Sequence, residues 1–93
     1  MRWIEMLRTE VCPGEETYLI RAVQTLLQAG IQAPVVAVMF WRHATLTSNF
    51  CVILHCEDSS EQEVSRIRSP LGHSVSEVMR ASGLVSADIW CEL

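Results

Sequence analysis

The 93-residue sequence contains no lysine; its seven cations are all arginines, set against eleven carboxylates for a formal charge of -4. Without a basic cluster, nucleic acid is excluded as the main partner, because phosphate binding needs concentrated positive charge. Long hydrophobic runs are also missing. The longest, Val35 to Trp41, is strand-sized and far short of the roughly 18 residues that cross a bilayer, so no membrane partner is expected. Glu5, Arg8 and Glu10 interrupt any signal-peptide core, which makes a cytoplasmic location the expectation. Glycine and proline are sparse, at four and three residues, which excludes fibrous and low-complexity chains.

What remains is apolar: 49% of residues are hydrophobic and only 19% charged. Scaling laws for a chain of this size put roughly 64% of the unfolded surface out of water on folding, enough for one domain spanning residues 1–93. So few charges leave a lone subunit short of polar cover, and a partner surface is expected.

Arg2 to Cys12 reads as a strand stopped by Cys12-Pro13-Gly14. From Glu15 to Ala29, the apolar residues Leu19, Ile20, Val23, Leu26 and Leu27 form one helical stripe, with Gly30 as its stop. The runs Val35 to His43 and Asn49 to Glu57 predict a β-hairpin. Ser60-Glu61-Gln62-Glu63 fits a capping box for a helix reaching Arg68. Ser69-Pro70-Leu71-Gly72 is expected to break it, with the helix resuming near His73 and ending at Gly83. Ser86 to Leu93 alternates as a half-buried strand.

The order β-α-β-β-α-β is that of a ferredoxin-like plait: a four-stranded antiparallel sheet with helices on one face and the second helix broken at Ser69–Gly72. With Leu46 at the turn centre, Trp41 lies opposite Cys51 and Met39 opposite Ile53. Val36, Val38, Phe40, Phe50, Val52, Leu54 and Cys56 then share the core face. The bare face receives Met39, Trp41, His43, Cys51, Ile53 and His55, with Asp88, Trp90 and Glu92 from the last strand. Burial of Ile4 and Met6 in the first strand would add Trp3, Glu5 and Leu7.

The cysteines form no Cys-x-x-Cys pair, so reduced thiols are expected rather than disulfides or zinc. Cys51 and Cys56 point to opposite faces; Cys56 and Cys91 read as core residues and Cys12 as an exposed thiol. His43 and Cys51 are diagonal neighbours, but two ligands do not hold an ion, and His55 lies about 20 Å from His43 along the strands. No metal site follows. Ser69, His73 and Ser74 resemble an anion-binding helix start, which capping explains without a ligand. No nucleotide fingerprint or nucleophile–base spacing is present.

Arg42-His43-Ala44, Leu54-His55, Ser69-Pro70-Leu71-Gly72, Gly83-Leu84-Val85 and Trp90 together resemble a family of small uncharacterised bacterial proteins. Members of that family carry a His-Leu-His-Trp run where this chain has Ile53-Leu54-His55-Cys56, and the missing first histidine weakens any metal role there. In layout the chain is also similar to the dimeric α/β barrels of antibiotic-biosynthesis-type monooxygenases and haem-degrading proteins, a likeness of fold that does not fix function.

These readings predict a dimeric module without assigned cofactor, joined through the sheet face and able to bind a small ligand. The competing class is a cofactor-independent or haem-type monooxygenase-like enzyme working between helices and sheet. In it His43 or His55 is the acid/base group and Trp41 a pocket wall, since histidine titrates near neutral pH.

Overall fold

The computed structural model describes residues 2–57 and 69–93. The chain forms β1 (Arg2–Val11), α1 (Glu16–Gln28), β2 (Val35–Arg42), β3 (Asn49–Glu57), α2 (Pro70–Arg80) and β4 (Gly83–Cys91). Every neighbouring pair in the sheet order β2-β3-β1-β4 is antiparallel, which is the ferredoxin-like plait. The helix expected over Ser60 to Arg68 lies outside the described residues.

α1 presents the predicted stripe to the sheet, with Leu19 and Val23 fully buried. Its start is helped by Glu16, whose carboxylate accepts the Gly14 N–H (3.0 Å) beside the positive helix end. Gly30, at φ 111°, turns the chain away after the last residue in a conformation that glycine adopts freely.

α2 begins at Ser69-Pro70-Leu71-Gly72, three residues before the expected restart near His73. Ser69 is the N-cap, its Oγ accepting the Gly72 N–H at 3.0 Å, and Pro70 occupies the first turn, where no N–H is needed. α2 ends at Arg80, and β4 starts three residues earlier than the alternation indicated, because Gly83, Leu84 and Val85 pair with Val11, Glu10 and Thr9. Gly83 admits no side chain there: a Cβ would run into the Glu10 carbonyl and come within 3.0 Å of Val11 Cα.

The hairpin register is the predicted one, Trp41 opposite Cys51 and Met39 opposite Ile53. Val36 is the exception. A bulge between Val35 and Ala37 makes Val35 the core residue at 4% exposure and turns Val36 outward at 55%.

β1 reverses the expected parity. Trp3, Leu7 and Val11 are buried on the helix side with Glu5 and Thr9, so Trp3 does not belong to the bare face; Ile4, Met6, Arg8 and Glu10 do. Pairing fixes this, since Trp3, Glu5 and Leu7 stand opposite Cys56, Leu54 and Val52, all on the helix side. Leu7, Leu19, Val23, Val52, Leu54, Val75 and Met79 form the sealed centre between the layers.

Candidate functional site: the uncovered sheet face

The strand pairings sort the uncovered face into rows. Ala37, His55, Ile4 and Trp90 make the first, and Met39, Ile53, Met6 and Asp88 the second. Trp41, Cys51, Arg8 and Ser86 make the third; Asn49, Glu10 and Leu84 close the face beside His43. Met39, Trp41, His43, Cys51, Ile53, His55 and Trp90 are thus on one surface, as the sequence predicted. The tryptophans there are two, Trp41 and Trp90, at opposite corners and 57% and 61% exposed.

The charges on this face are mostly neutralised within the chain. Arg8 donates to Asp88 at 2.9 Å, and Arg2 is paired with Glu92 at 2.8 Å. Both bridges are exposed, where such pairs contribute roughly 0–1 kcal/mol, so their effect is to cancel charge rather than to hold the sheet.

Two concavities flank the second row. One, of about 550 Å³, lies over the start of β1 and the ends of β3 and β4 and includes Ile4, Ala37, Met39, His55 and Trp90. The other, of about 730 Å³, lies toward the hairpin tip, with Arg8, Trp41, His43, Cys51 and Leu84. The two histidines therefore belong to different hollows, in agreement with their separation in the sequence reading.

His43 is engaged locally. Its Nδ1 accepts the backbone N–H groups of Thr45 (3.1 Å) and Leu46 (3.0 Å), bracing the hairpin turn and leaving the proton of the neutral ring on Nε2. His55 differs: its Nε2 is shielded from solvent and has no hydrogen-bond partner among the described residues. Sequence reasoning selected both histidines without separating these roles, which depend on turn geometry and side-chain packing.

Between helices and sheet, the hollow that the described residues form beside α1 is small. A hollow of about 190 Å³ lies between Ile20 and Gln24 of α1 and Phe40, Trp41, Arg42 and Phe50 of the hairpin. The Arg42 guanidinium sits 4.8 Å above the Phe50 ring, and neither His43 nor His55 reaches this side of the sheet. Among the described residues no three His, Cys, Asp or Glu side chains gather as metal ligands, and no helix is long and apolar enough to cross a membrane.

The thiols divide by environment. Burial pushes the Cys56 thiol up to about 12, with the Glu5 carboxylate adding to the effect; burial also raises Cys51, against an opposing pull from Arg8. Cys12 and Cys91 are exposed, so Cys91 is not the core residue its alternation suggested: β4 is an edge strand and leaves its last residues uncovered. Since the thiolate is the nucleophile, iodoacetamide at neutral pH should modify Cys12 and Cys91 at least tenfold faster than Cys56, read by peptide mass spectrometry. Equal rates at all four positions would contradict the burial pattern.

Glu5 was missed as a structural residue. It is 1% exposed, and its Oε1 accepts the Ser69 N–H at 2.7 Å, tying the centre of β1 to the start of α2. A carboxylate in mid-strand gave no sign of this, because its partner is 64 residues away.

No family model and no curated protein matches the sequence. Solved structures match over nearly the whole chain. A Mycobacterium tuberculosis protein superposes with a TM-score of 0.74 at 10% identity, covering 100% of this chain and 96% of its own. A Bordetella bronchiseptica protein provisionally assigned as an antibiotic biosynthesis monooxygenase gives 0.72 at 12%, with 99% and 97% covered. A point mutant of the cofactor-independent oxygenase SnoaB from Streptomyces nogalater gives 0.63 at 13%, with 98% and 92% covered. At such identities the likeness is one of fold, and it makes this chain a small ferredoxin-like module with the architecture of antibiotic-biosynthesis-monooxygenase-like proteins.

Proposed function

We propose that the protein works as a homodimeric ligand-binding module, two copies meeting through the uncovered sheet face. The observation that carries this reading is the exposure of large apolar side chains on that face: Trp41 at 57%, Trp90 at 61% and Leu84 at 82%, with Met39 at 36%. Four strands about 4.8 Å apart and nine residues long at about 3.4 Å each give a face of roughly 19 by 30 Å. Side-chain relief brings its accessible area toward the roughly 800 Å² per partner of a standard interface. Arg2 and Arg8 are already paired within the chain, so among the described residues of this face a second copy meets no unpaired arginine.

Light scattering across micromolar concentrations should give a dimer. Truncating a buried aromatic anchor commonly costs about 2 kcal/mol, and a two-fold dimer loses it twice, so Trp41→Ala should weaken dimerisation by roughly several hundredfold. A wild-type monomer at every concentration would overturn the reading.

The fold shared with SnoaB suggests oxygenase chemistry as the competitor, but this chain supports it less well. The hollow between α1 and the hairpin is below the roughly 300 Å³ of ordinary ligand pockets, and the two histidines suited to acid/base work lie on the other face.

A further inference from the structure

We propose that the outer edge of β4 pairs antiparallel with β4 of a second copy, joining two four-stranded sheets edge to edge. The association goes beyond the face-to-face dimer and does not rest on it, since it uses the rim of the sheet rather than its uncovered surface.

The two rims differ. In the order β2-β3-β1-β4 the outer strands are β2 and β4, and no strand among the described residues lies beyond either. β2 follows Pro34 and carries the bulge between Val35 and Ala37, both of which blunt an edge against a further strand. β4 has neither device. Its nine residues, Gly83–Cys91, pair with β1 without a break, include no proline and carry a single charge, Asp88, which is already bonded to Arg8.

The backbone of β4 is set for another strand. Glu92 N–H donates to the Arg2 carbonyl at 3.0 Å and the Ser82 carbonyl accepts the Cys12 N–H at 2.9 Å, so the even-numbered residues between them turn their peptide groups toward β1. Those of Gly83, Val85, Ala87, Ile89 and Cys91 point outward. A row of such groups is a template for strand addition.

Self-complementarity names the occupant and the register. A two-fold axis through Ala87, the middle residue of β4, overlaps the whole strand and allows about ten backbone hydrogen bonds. Val85, Ala87 and Ile89 lie on the helix side, in line with Thr9, Leu7 and Glu5, and there Ile89, 37% exposed and outside the face-to-face seam, meets Val85 of the second copy. On the other side Leu84 comes beside Trp90, and Ser86 beside Asp88. No like charges face each other. Moving the axis to Asp88 sets two carboxylates directly opposite, moving it to Ser86 sets Leu84 against Asp88, and moving it to Val85 or Ile89 shortens the overlap. A contact one strand wide belongs to the small interfaces, below about 1,200 Å² in total, so the pairing is populated at roughly hundreds of micromolar, above the concentrations that form the dimer.

Sedimentation equilibrium from low micromolar to roughly 500 µM should show wild type passing from dimer to tetramer. Ile53→Arg, which places a charge in the middle of the uncovered face and leaves the β4 edge intact, should pass from monomer to dimer over the same upper range. Ala87→Pro removes an outward N–H in a strand position that tolerates proline, and it should weaken this step at least about tenfold. Ile89→Lys, which sets a cation on the edge of both copies, should do the same and carries the test if Ala87→Pro does not fold. In the proposed register the two Ala87 Cα atoms stand about 5.5 Å apart, so mild oxidation of Ala87→Cys should join the copies through residue 87, read by peptide mass spectrometry. A wild type that stops at the dimer while Ile53→Arg stays monomeric overturns the edge pairing and leaves the seam. If both proteins pass from monomer to dimer only at high concentration, the seam falls and the edge stands. A high-concentration assembly undiminished in Ile89→Lys, or cross-linked only through other positions, overturns the pairing about Ala87.

Discussion

Gly72→Ala should lower the melting midpoint by roughly 8–20 °C, although glycine to alanine inside a helix ordinarily stabilises by about 1 kcal/mol. The reversal comes from Glu5. A methyl group on Gly72 would be driven into Glu5 Oε2 and would lie 3.1 Å from Ser69 Oγ. Glutamate ends are usually free to move aside, but this one is fully buried and held through Oε1 by the Ser69 N–H at 2.7 Å. Moving it breaks that bond and leaves a donor at the α2 start without its acceptor, so overpacking and a lost charge-assisted hydrogen bond together cost about 2–3 kcal/mol. Glu5→Ala alone should also destabilise, by emptying the site and orphaning the same N–H. In the double variant the clash is gone, so its loss should fall well short of the sum of the two single losses. Thermal melts of the four proteins make the test. A Gly72→Ala protein as stable as wild type, or additive losses in the cycle, would show that the carboxylate is not confined.

That carboxylate also shows where the sequence was legible and where it was not. The hairpin could be read because both its strands carry an unbroken apolar set at one parity, and only one register aligns those sets. Besides the uncovered end of β4, the alternation failed in β1 and at Val36, with different physics. In β1, Ile4 and Met6 are as apolar as Trp3 and Leu7, so the apolar residues alone leave the parity open. Arg2, Arg8 and Glu10 mark the set of Ile4 and Met6 as the water side, three charges against Glu5 alone on the other, and counting them gives the observed parity. At Val36 the cause is a bulge, which shifts one residue off the alternation and exposes a valine that no pattern distinguishes from Val35.

For the site, the parity argument assembled Met39, Trp41, Cys51, Ile53, His55 and Trp90 on one surface without coordinates. It did not separate His43, a brace for its own turn, from His55, whose ring nitrogen lacks a partner among the described residues. The first depends on where two backbone N–H groups of the turn point and the second on side-chain packing over β3, and residue spacing records neither. The start of α2 lies three residues before the expected restart near His73 for a related reason: Ser69 caps the Gly72 N–H, and its own N–H finds the Glu5 acceptor brought in from β1.

Replacement of Ile53 by arginine should leave the subunit folded and remove the dimer. Ile53 is half-buried in the middle row, between Met39 on β2 and Met6 on β1. In an isolated subunit the arginine stem can lie along those methionines with its guanidinium in water, so the melting midpoint at low protein concentration should change little. In a two-fold dimer every substitution occurs twice, and a cation at the middle of the seam must lose its water without gaining a partner, since Asp88 in the same row is already bonded to Arg8. Such an unpaired buried charge costs several kcal/mol at each of its two occurrences, enough to raise the dissociation constant more than about a thousandfold, beyond the roughly several hundredfold expected of Trp41→Ala. Ile53→Leu, with similar volume and no charge, should remain dimeric. Sedimentation equilibrium gives the stoichiometry, and circular dichroism on the same samples shows that the fold is retained. Because association stabilises only the folded state, the wild-type melting midpoint should also rise with concentration, and that of Ile53→Arg should not. An Ile53→Arg protein that dimerises as tightly as wild type would place the seam elsewhere, the exposed edge of β4 being the surface to test next.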